Sequence, residues 1–337
     1  MKLCYRPKFV YRRRLYSLIF KMKILITGCA GFIGYYLSKS LSQNKDKVSG
    51  IDNLNSYYDI NLKKKRLLNL KSKNFSFTKI DIKNHKKLRD FFKKNKFDIV
   101  YHLAAQAGVR YSIKSPETYF DNNLKGFFNI LECCREFKIK NLIFASTSSV
   151  YGKQNNFPLN EKHSTDKPLS FYAATKKCNE IMAYSYSEIY KLKCTAIRFF
   201  TVYGPLGRPD MALYKFSDSI KHNKYLELYN SGNHTRDFTF IDDVILYLKK
   251  FRKNKQKEKF EVYNICSNNP ISLIKYLNII EKNFNKKTKI KKLELQMGDV
   301  VKTHGDNSKI KRLFGRNKST KVEEGINQFV RWFKKYK

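Results

Sequence analysis

The sequence predicts an α/β protein: a doubly wound parallel sheet followed by a smaller mixed α/β lobe. Three observations predict it. Short apolar runs at residues 23–27, 48–51, 75–80, 98–103 and 141–145 alternate with stretches of helical periodicity. Strands alternating with helices at this pitch form a parallel sheet, because each parallel connection needs a crossover. A glycine-spaced turn, Gly28-Cys-Ala-Gly31-Phe-Ile-Gly34, joins the first run to its helix. Beyond residue 200 the rhythm loosens into short strands and helices, the mark of a second, less regular unit.

Composition bounds the function. In 337 residues, 42% are hydrophobic and 15% aromatic, enough for a large core, which excludes a disordered chain. The net charge of +41 invites a nucleic-acid or membrane-surface reading. Lysines are spread through nearly every segment, however, and neither zinc-finger spacing nor an RNA-recognition signature is present. The charge is therefore read as a solvated basic surface with no dedicated nucleic-acid partner. Seven cysteines form no Cys-x-x-Cys and no Cys/His cluster, and Cys133 adjoins Cys134. Neither a metal site nor a disulfide framework is expected, and a reducing cytoplasm fits. Residues 1–21 carry seven basic groups and no acid, around an apolar run at 15–20 too short to span a bilayer. They are read as a basic tail without membrane anchor or signal peptide.

Residues 23–27 form a strand, and the helix after the glycine turn runs to about residue 44. Strand, glycine turn and helix together make a dinucleotide fingerprint: Gly28, Gly31 and Gly34 let the backbone approach a pyrophosphate at a helix N-terminus. The second strand ends in Asp52. A carboxylate there binds both ribose hydroxyls of an adenosine and repels a 2′-phosphate, so NAD is expected over NADP. The third strand ends at Asp81-Ile82 and precedes a helix at 85–94. The fourth runs into Ala104-Ala-Gln-Ala-Gly-Val-Arg110. Pro116 opens a helix reaching about residue 137, and 141–145 is the fifth strand. Gly28, Asp52, Asp81, Ala104 and Ser146 then all fall at carboxyl ends of strands, where such sheets bind ligands.

The fifth strand leads into Ser146-Thr-Ser-Ser-Val-Tyr-Gly152, and Tyr172-Ala-Ala-Thr-Lys176 lies in a long helix at 171–190. A Tyr and a Lys four apart share a helix face, so the ammonium favours the phenolate. Tyrosine needs that help, being ionised to only ~0.1% at neutral pH unaided. The hydroxyls of 146–149 are placed to bond a substrate oxygen beside the phenol. Alone the spacing is weak, since Tyr35 and Lys39 repeat it among 23 tyrosines and 69 basic residues. The convergence at the strand ends favours Tyr172. A strand follows at 194–199, then the loop Thr201-Val-Tyr-Gly-Pro-Leu-Gly-Arg-Pro-Asp210. Further strands are expected near 226–229 and 238–241, with helices near 242–253, 271–284 and 322–335. Residues 252–259 are the most linker-like stretch.

Five segments carry a resemblance: Gly50-Ile-Asp-Asn-Leu-Asn-Ser-Tyr-Tyr-Asp59, Ala105-Gln-Ala-Gly-Val-Arg-Tyr-Ser112, Tyr172-Ala-Ala-Thr-Lys-Lys177, Arg198-Phe-Phe-Thr-Val-Tyr-Gly-Pro205 and Gly207-Arg-Pro-Asp-Met-Ala212. From residue 22 to near its end the chain resembles the extended short-chain dehydrogenase/reductase superfamily, and within it the UDP-glucuronate 4-epimerases. The resemblance implies a Rossmann domain at 22–200 and a mainly nucleotide-sugar-binding lobe at 201–337, with the chain crossing between them. Phe32 and Ile33 would add backbone amides to the glycines around NAD. Asp52 and Asn53 would take the ribose, Asp81 and Ile82 the adenine, and Leu103, Ala104 and Ala105 the nicotinamide side. Tyr172 would be the base, and Lys176 its activator and a ligand of the nicotinamide ribose. Thr147 would bind the reacting sugar oxygen. Thr201, Arg208 and Arg236 would lie on the sugar or UDP and Asp299 on the uridine ribose, unless Arg236 and Asp299 form a merely structural ion pair, and Arg110 is a further substrate contact. The hydroxyls of Thr147, Ser148, Ser149 and Thr201, with Arg208 nearby, suit a sugar carboxylate.

The implied reaction interconverts UDP-glucuronate and UDP-galacturonate through transient oxidation at C4, and serves polysaccharide biosynthesis. A homodimer pairing through the helices at 116–137 and 171–190 is also implied. Related decarboxylases and dehydratases carry Glu immediately before Val-Tyr-Gly, where this chain has Ser149, so those reactions lack their acid/base helper. A UDP-glucose 4-epimerase is the other near alternative, disfavoured by the hydroxyl run. A basic nucleic-acid or membrane binder is the alternative from a different class.

Overall fold

Strand β1 (Lys23–Thr27) is buried at every position after Lys23, as a central strand covered by helices on both faces must be. In the computed structural model, which describes residues 21–44, 46–253 and 256–336, it lies within a seven-stranded parallel sheet. The other strands are β2 (Lys47–Asp52), β3 (Phe75–Lys79), β4 (Ile99–His102), β5 (Asn141–Thr147), β6 (Cys194–Phe199) and β7 (Phe260–Ile265). Their order is β3-β2-β1-β4-β5-β6-β7. Thr27 stands opposite both Ile51 and His102, so the carboxyl ends lie level at the point where the strand order reverses. Ligand crevices open at that point in doubly wound sheets.

The two faces follow from the period-2 alternation of side chains. Ile24 and Ile26 point to one core, with α1 (Phe32–Ser42), Val244, Leu248, Phe329 and Phe333. Leu25 points to the other, with Phe92 of α3 (His85–Asn95), Phe127 and Leu131 of α4 (Gly126–Glu136), and Ala183 of α5 (Phe171–Tyr190). The helix between β2 and β3, α2 (Ile60–Leu68), was not legible in the sequence. The first core is continuous from β1 into the C-terminal helix Val322–Tyr336, so the later residues fold onto the sheet and share its core.

Several elements depart from the sequence reading. The helix expected from Pro116 is divided: an α turn at Pro116–Tyr119, a π turn at Phe120–Lys125, then α4. Within the π turn Asn123 binds the backbone of Gln106 at both ends, accepting its N–H (2.8 Å) and donating to its carbonyl (3.0 Å). The helix expected at 271–284 begins only at Leu273, capped by Ser272, while Ile271–Ser272 pairs with Thr235–Arg236. After the stretch read as linker, β7 returns to the main sheet beside β6. Helices Ala212–Lys221 and Ser308–Phe314 were also not anticipated. Of the basic tail, residues 1–20 lie outside the described residues.

Candidate active site

The glycine turn is tight for a stated reason. Gly28 has φ +72°, and a Cβ there would lie 2.7 Å from the Ala104 nitrogen. A Cβ on Gly34 would lie 2.1 Å from the Gly28 carbonyl oxygen, so α1 cannot seat on the turn with any larger residue. At the edge of the turn the Asp52 carboxylate accepts the N–H groups of Ala30 (3.2 Å) and Leu54 (2.8 Å). Burial raises its pKa, opposed by the Leu54 and Ala30 hydrogen bonds and by the charges of Lys63 and Arg66.

Turn, strand ends and C-terminal lobe enclose one cleft of about 1160 Å³, lined by Gly28, Gly31, Phe32, Ile33, Gly34, Asp52, Asn53, Ile82, Leu103, Ala104, Ala105, Thr147, Ser148, Ser149, Tyr172, Lys176, Thr201, Arg208, Arg236, Asp299 and Arg110. Pockets for a single small ligand run to roughly 300–1,000 Å³, so this cleft has room for two. Asp81 is the predicted site residue outside that lining. Its carboxylate instead accepts from Asn53 Nδ2 (3.1 Å) and Lys83 N (2.9 Å), which orients Asn53.

Ser170 caps α5 by accepting from Ala173 N, and Tyr172 follows in the first turn, edge-on to Tyr119. Lys176, one turn on, is only 1% exposed, and its Nζ donates to Asn179 Oδ1 at 3.0 Å. Thr147 ends β5 and caps the short helical turn Ser148–Tyr151 by accepting from Ser149 N at 3.2 Å. Burial pushes the Tyr172 phenol up, while a hydrogen bond from Thr147 and the charge of Arg208 pull it back. Burial draws Lys176 down to about 7, against the attraction of Glu180. Thr147 and Arg208 thus lower the phenol from one side, while Lys176, one helical turn on, has its ammonium anchored on Asn179. Ser146 also departs from expectation: its hydroxyl donates to Glu180 at 2.6 Å and is spent inside the fold. The rival pair is elsewhere, with Tyr35 buried among Leu62, Leu70 and Leu206 and Lys39 exposed.

On the opposite wall Arg208 pairs with Asp210 (Nε to Oδ1, 3.0 Å), which also accepts from Tyr57 (3.2 Å). Arg236 pairs with Asp299 at 2.9 Å and donates to the Val301 carbonyl, so the two form an ion pair that also lines the cleft. Exposed Arg110 lies 4.5 Å over the Tyr229 ring. Tyr57, Lys63, Tyr229 and His234 line the cleft without having been singled out. Behind them Arg66, fully buried, ties the glycine turn (Ala30 O, 2.8 Å) to the loop before Arg208 (Leu206 O, 2.7 Å). Nothing marks Lys63 or Arg66 as special among 69 basic residues. Among the described residues no cluster of three His, Cys, Asp or Glu is arranged to hold a metal, and no helix is long and apolar enough to cross a membrane.

This architecture has known relatives. A family model described as GDP-mannose 4,6 dehydratase matches residues 25–329. Protein CapI of Staphylococcus aureus is 44% identical over 331 residues, covering 94% of this chain and 99% of its own. The UDP-glucuronate 4-epimerase of Thermodesulfobacterium geofontis is 41% identical over 316 residues, covering 92% and 95%. The crystal structure of UDP-glucuronic acid 4-epimerase from Bacillus cereus, in complex with UDP-glucuronic acid and NAD, superposes with a TM-score of 0.89 at 33% identity, covering 94% of this chain and all of that one. By sequence along nearly its whole length and by fold, the chain belongs to the extended short-chain dehydrogenase/reductase family of nucleotide-sugar enzymes, with UDP-glucuronate 4-epimerases among its relatives.

Proposed function

We propose that the protein is an NAD-dependent epimerase interconverting UDP-glucuronate and UDP-galacturonate by transient oxidation at C4 of the sugar. The observation that carries this reading is the run Thr147, Ser148 and Ser149 on the cleft wall shared with Tyr172, with hydroxyls and no carboxylate before Val150-Tyr151-Gly152. The turn fits the dinucleotide, since Gly28, Gly31 and Gly34 line the cleft without side chains at the N-terminus of α1, and Asp52 stands where a ribose diol binds. Gly28, Gly31, Phe32, Ile33, Gly34, Asp52, Asn53, Ile82, Leu103, Ala104, Ala105 and Lys176 would hold NAD, which would supply reversible hydride acceptance at C4. Asp81 takes the adenine with Ile82 and also orients Asn53.

Tyr172 takes the proton of the 4-hydroxyl as that carbon is oxidised and returns it once the ring has presented its other face. Thr147 bonds the reacting oxygen, and Lys176 keeps positive charge beside it. Ser148, Ser149, Thr201 and Arg208 hold the carboxylate, while Arg236, Asp299 and Arg110 hold the UDP. Stabilising the carboxylate as the anion opposes its departure as CO2, to which a β-keto acid is prone. The family model bears a dehydratase name, but Ser149 stands where dehydration or decarboxylation needs an acid.

The same reading takes residues 22–200 as the NAD half and 201–337 as mainly the sugar-nucleotide half. It includes a homodimer, supported by exposed Phe120 and Phe128 on one helical stretch and Ile181 and Ile189 on α5. It also includes a cytoplasmic place, supported by unpaired cysteines at all six described positions, and a supply of uronic acids to a polysaccharide. The test is incubation with UDP-glucuronate deuterated at C4 and NMR of the products. The expected result is a reversible mixture with UDP-galacturonate, label retained. A UDP-pentose with CO2, or label lost to solvent, would overturn the reading.

A further inference from the structure

Asn179 is fully buried, three residues after Lys176 on α5. Both ends of its amide are engaged: Oδ1 accepts from Lys176 Nζ at 3.0 Å, and Nδ2 donates to the Asn123 carbonyl at 2.6 Å. Asn123 lies in the π turn, where Gly126 N reaches back five residues to the Asp121 carbonyl. Its own side chain holds the Gln106 backbone and donates to Thr175 Oγ1 at 3.1 Å. Asn123 and Asn179 thus join three parts of the site: the loop after β4, the π turn and the helix bearing Tyr172.

We infer that Asn179 is a positioning residue, whose amide fixes the Lys176 ammonium in the site and keeps it charged there, so that Tyr172 and Lys176 act as one unit. The inference rests on the proposed reading, in which Tyr172 is the base. Its physical reason is that a buried ammonium needs an acceptor, and an amide supplies one without titrating near neutrality. The surrounding charges do not replace it. Glu180 on α5 attracts the ammonium through space, but its carboxylate is bonded to Arg198 of β6 and offers Lys176 no hydrogen bond. His102 of β4 is held neutral, burial drawing it down to about 3. Tyr119 faces Tyr172, and Arg208 acts on Tyr172 from the loop after β6.

The test uses the full chain with Asn179→Ala, Asn179→Asp, Asn179→Ser and, as control, Tyr172→Phe. It measures kcat, KM for UDP-glucuronate, pH profile, bound NAD, and phenolate ultraviolet absorbance against pH. Asn179→Ala is expected to lower kcat on the order of tenfold or more with KM little changed. Its alkaline limb should move to lower pH, because the unsupported ammonium gives up its proton earlier, and the Tyr172 phenol should ionise later. Asn179→Asp keeps the size and the acceptor for Lys176 but gives up the donation to the Asn123 carbonyl, and Asn179→Ser, which keeps a donor and an acceptor, is the testable variant should alanine or aspartate not fold. A carboxylate there holds the ammonium proton to higher pH and cancels part of its pull on the phenol, so both limbs should move up. Activity lost only in proportion to folded, NAD-bound protein, with the pH profile unmoved in every variant that folds, would make Asn179 merely structural and overturn the inference. If Tyr172→Phe stays active, the reading beneath it fails instead.

Discussion

Glu180 and Arg198 form a two-pronged ion pair, Nε to Oε1 at 2.9 Å and Nη2 to Oε2 at 2.8 Å, with both side chains 4% exposed. The pair pins α5 to β6 one turn beyond Lys176, and Ser146 adds a third hydrogen bond to the carboxylate. Such a pair need not stabilise the fold relative to an apolar pair, but breaking it strands a charge. Glu180→Gln is therefore expected to cost ~3–5 kcal/mol in urea unfolding. An unchanged midpoint would show that the guanidinium finds other partners, such as the Tyr151 ring 4.8 Å away.

Lys176 is a site where function opposes stability. Burial takes its ammonium from 10.5 to about 7, so the folded state binds fewer protons than the unfolded state between those values. Its destabilising effect is full below pH 7 and fades as pH rises toward 10.5. Lys176→Met should raise stability by on the order of a few kcal/mol at pH 6 while abolishing turnover, and the gain should shrink by pH 10. Thermal melts at both pH values check this, and a gain that grows with pH would contradict it.

On the proposed reading, Tyr172→Phe deletes the proton acceptor and little else. A general base contributes roughly 10²–10⁴-fold, so kcat should fall by that factor or more while UDP-sugar binding measured calorimetrically is largely kept. Tyr35→Phe, in a core cluster away from the cleft, should leave kcat within a few-fold of wild type. Equal damage from both would show that the wrong Tyr/Lys pair had been chosen.

Denaturing the purified protein should release NAD and no NADP, since on the proposed reading Asp52 would meet the 2′-position with a carboxylate. The epimerase cycle regenerates its oxidant, so the dinucleotide should remain bound through turnover. Asp52→Ala should lower its retention and weaken discrimination against NADP. Recovery of NADP from the wild-type protein would refute the assignment.

The strands bordering the cofactor turn, the glycine turn itself and the helix at 171–190 were legible because their causes are local. Period-2 and period-3.6 apolar patterns, Gly28 at positive φ and the Ser170 cap each act over a few residues. Asp52 was legible because a parallel sheet sends every strand end to one edge, and Tyr172 because its helix, α5, follows the fifth strand end on that same edge.

Long-range pairing alone settled the rest. β7 was hidden because Glu261 and Asn264 interrupt its apolar run, and it is a strand only because β6 offers it an edge. Asp81 reads as a ligand in sequence, and only the fold shows that its carboxylate also orients Asn53 and the Lys83 backbone. Lys176 reads in sequence as the partner of Tyr172, but what anchors its ammonium does not: only the π turn brings Asn123 against Asn179, where the ammonium bonds. The sequence by itself determined which groups stand at the strand ends. Which of them keep a free valence for a ligand was decided only by tertiary structure, because a buried polar group bonds whatever partner packing brings within reach.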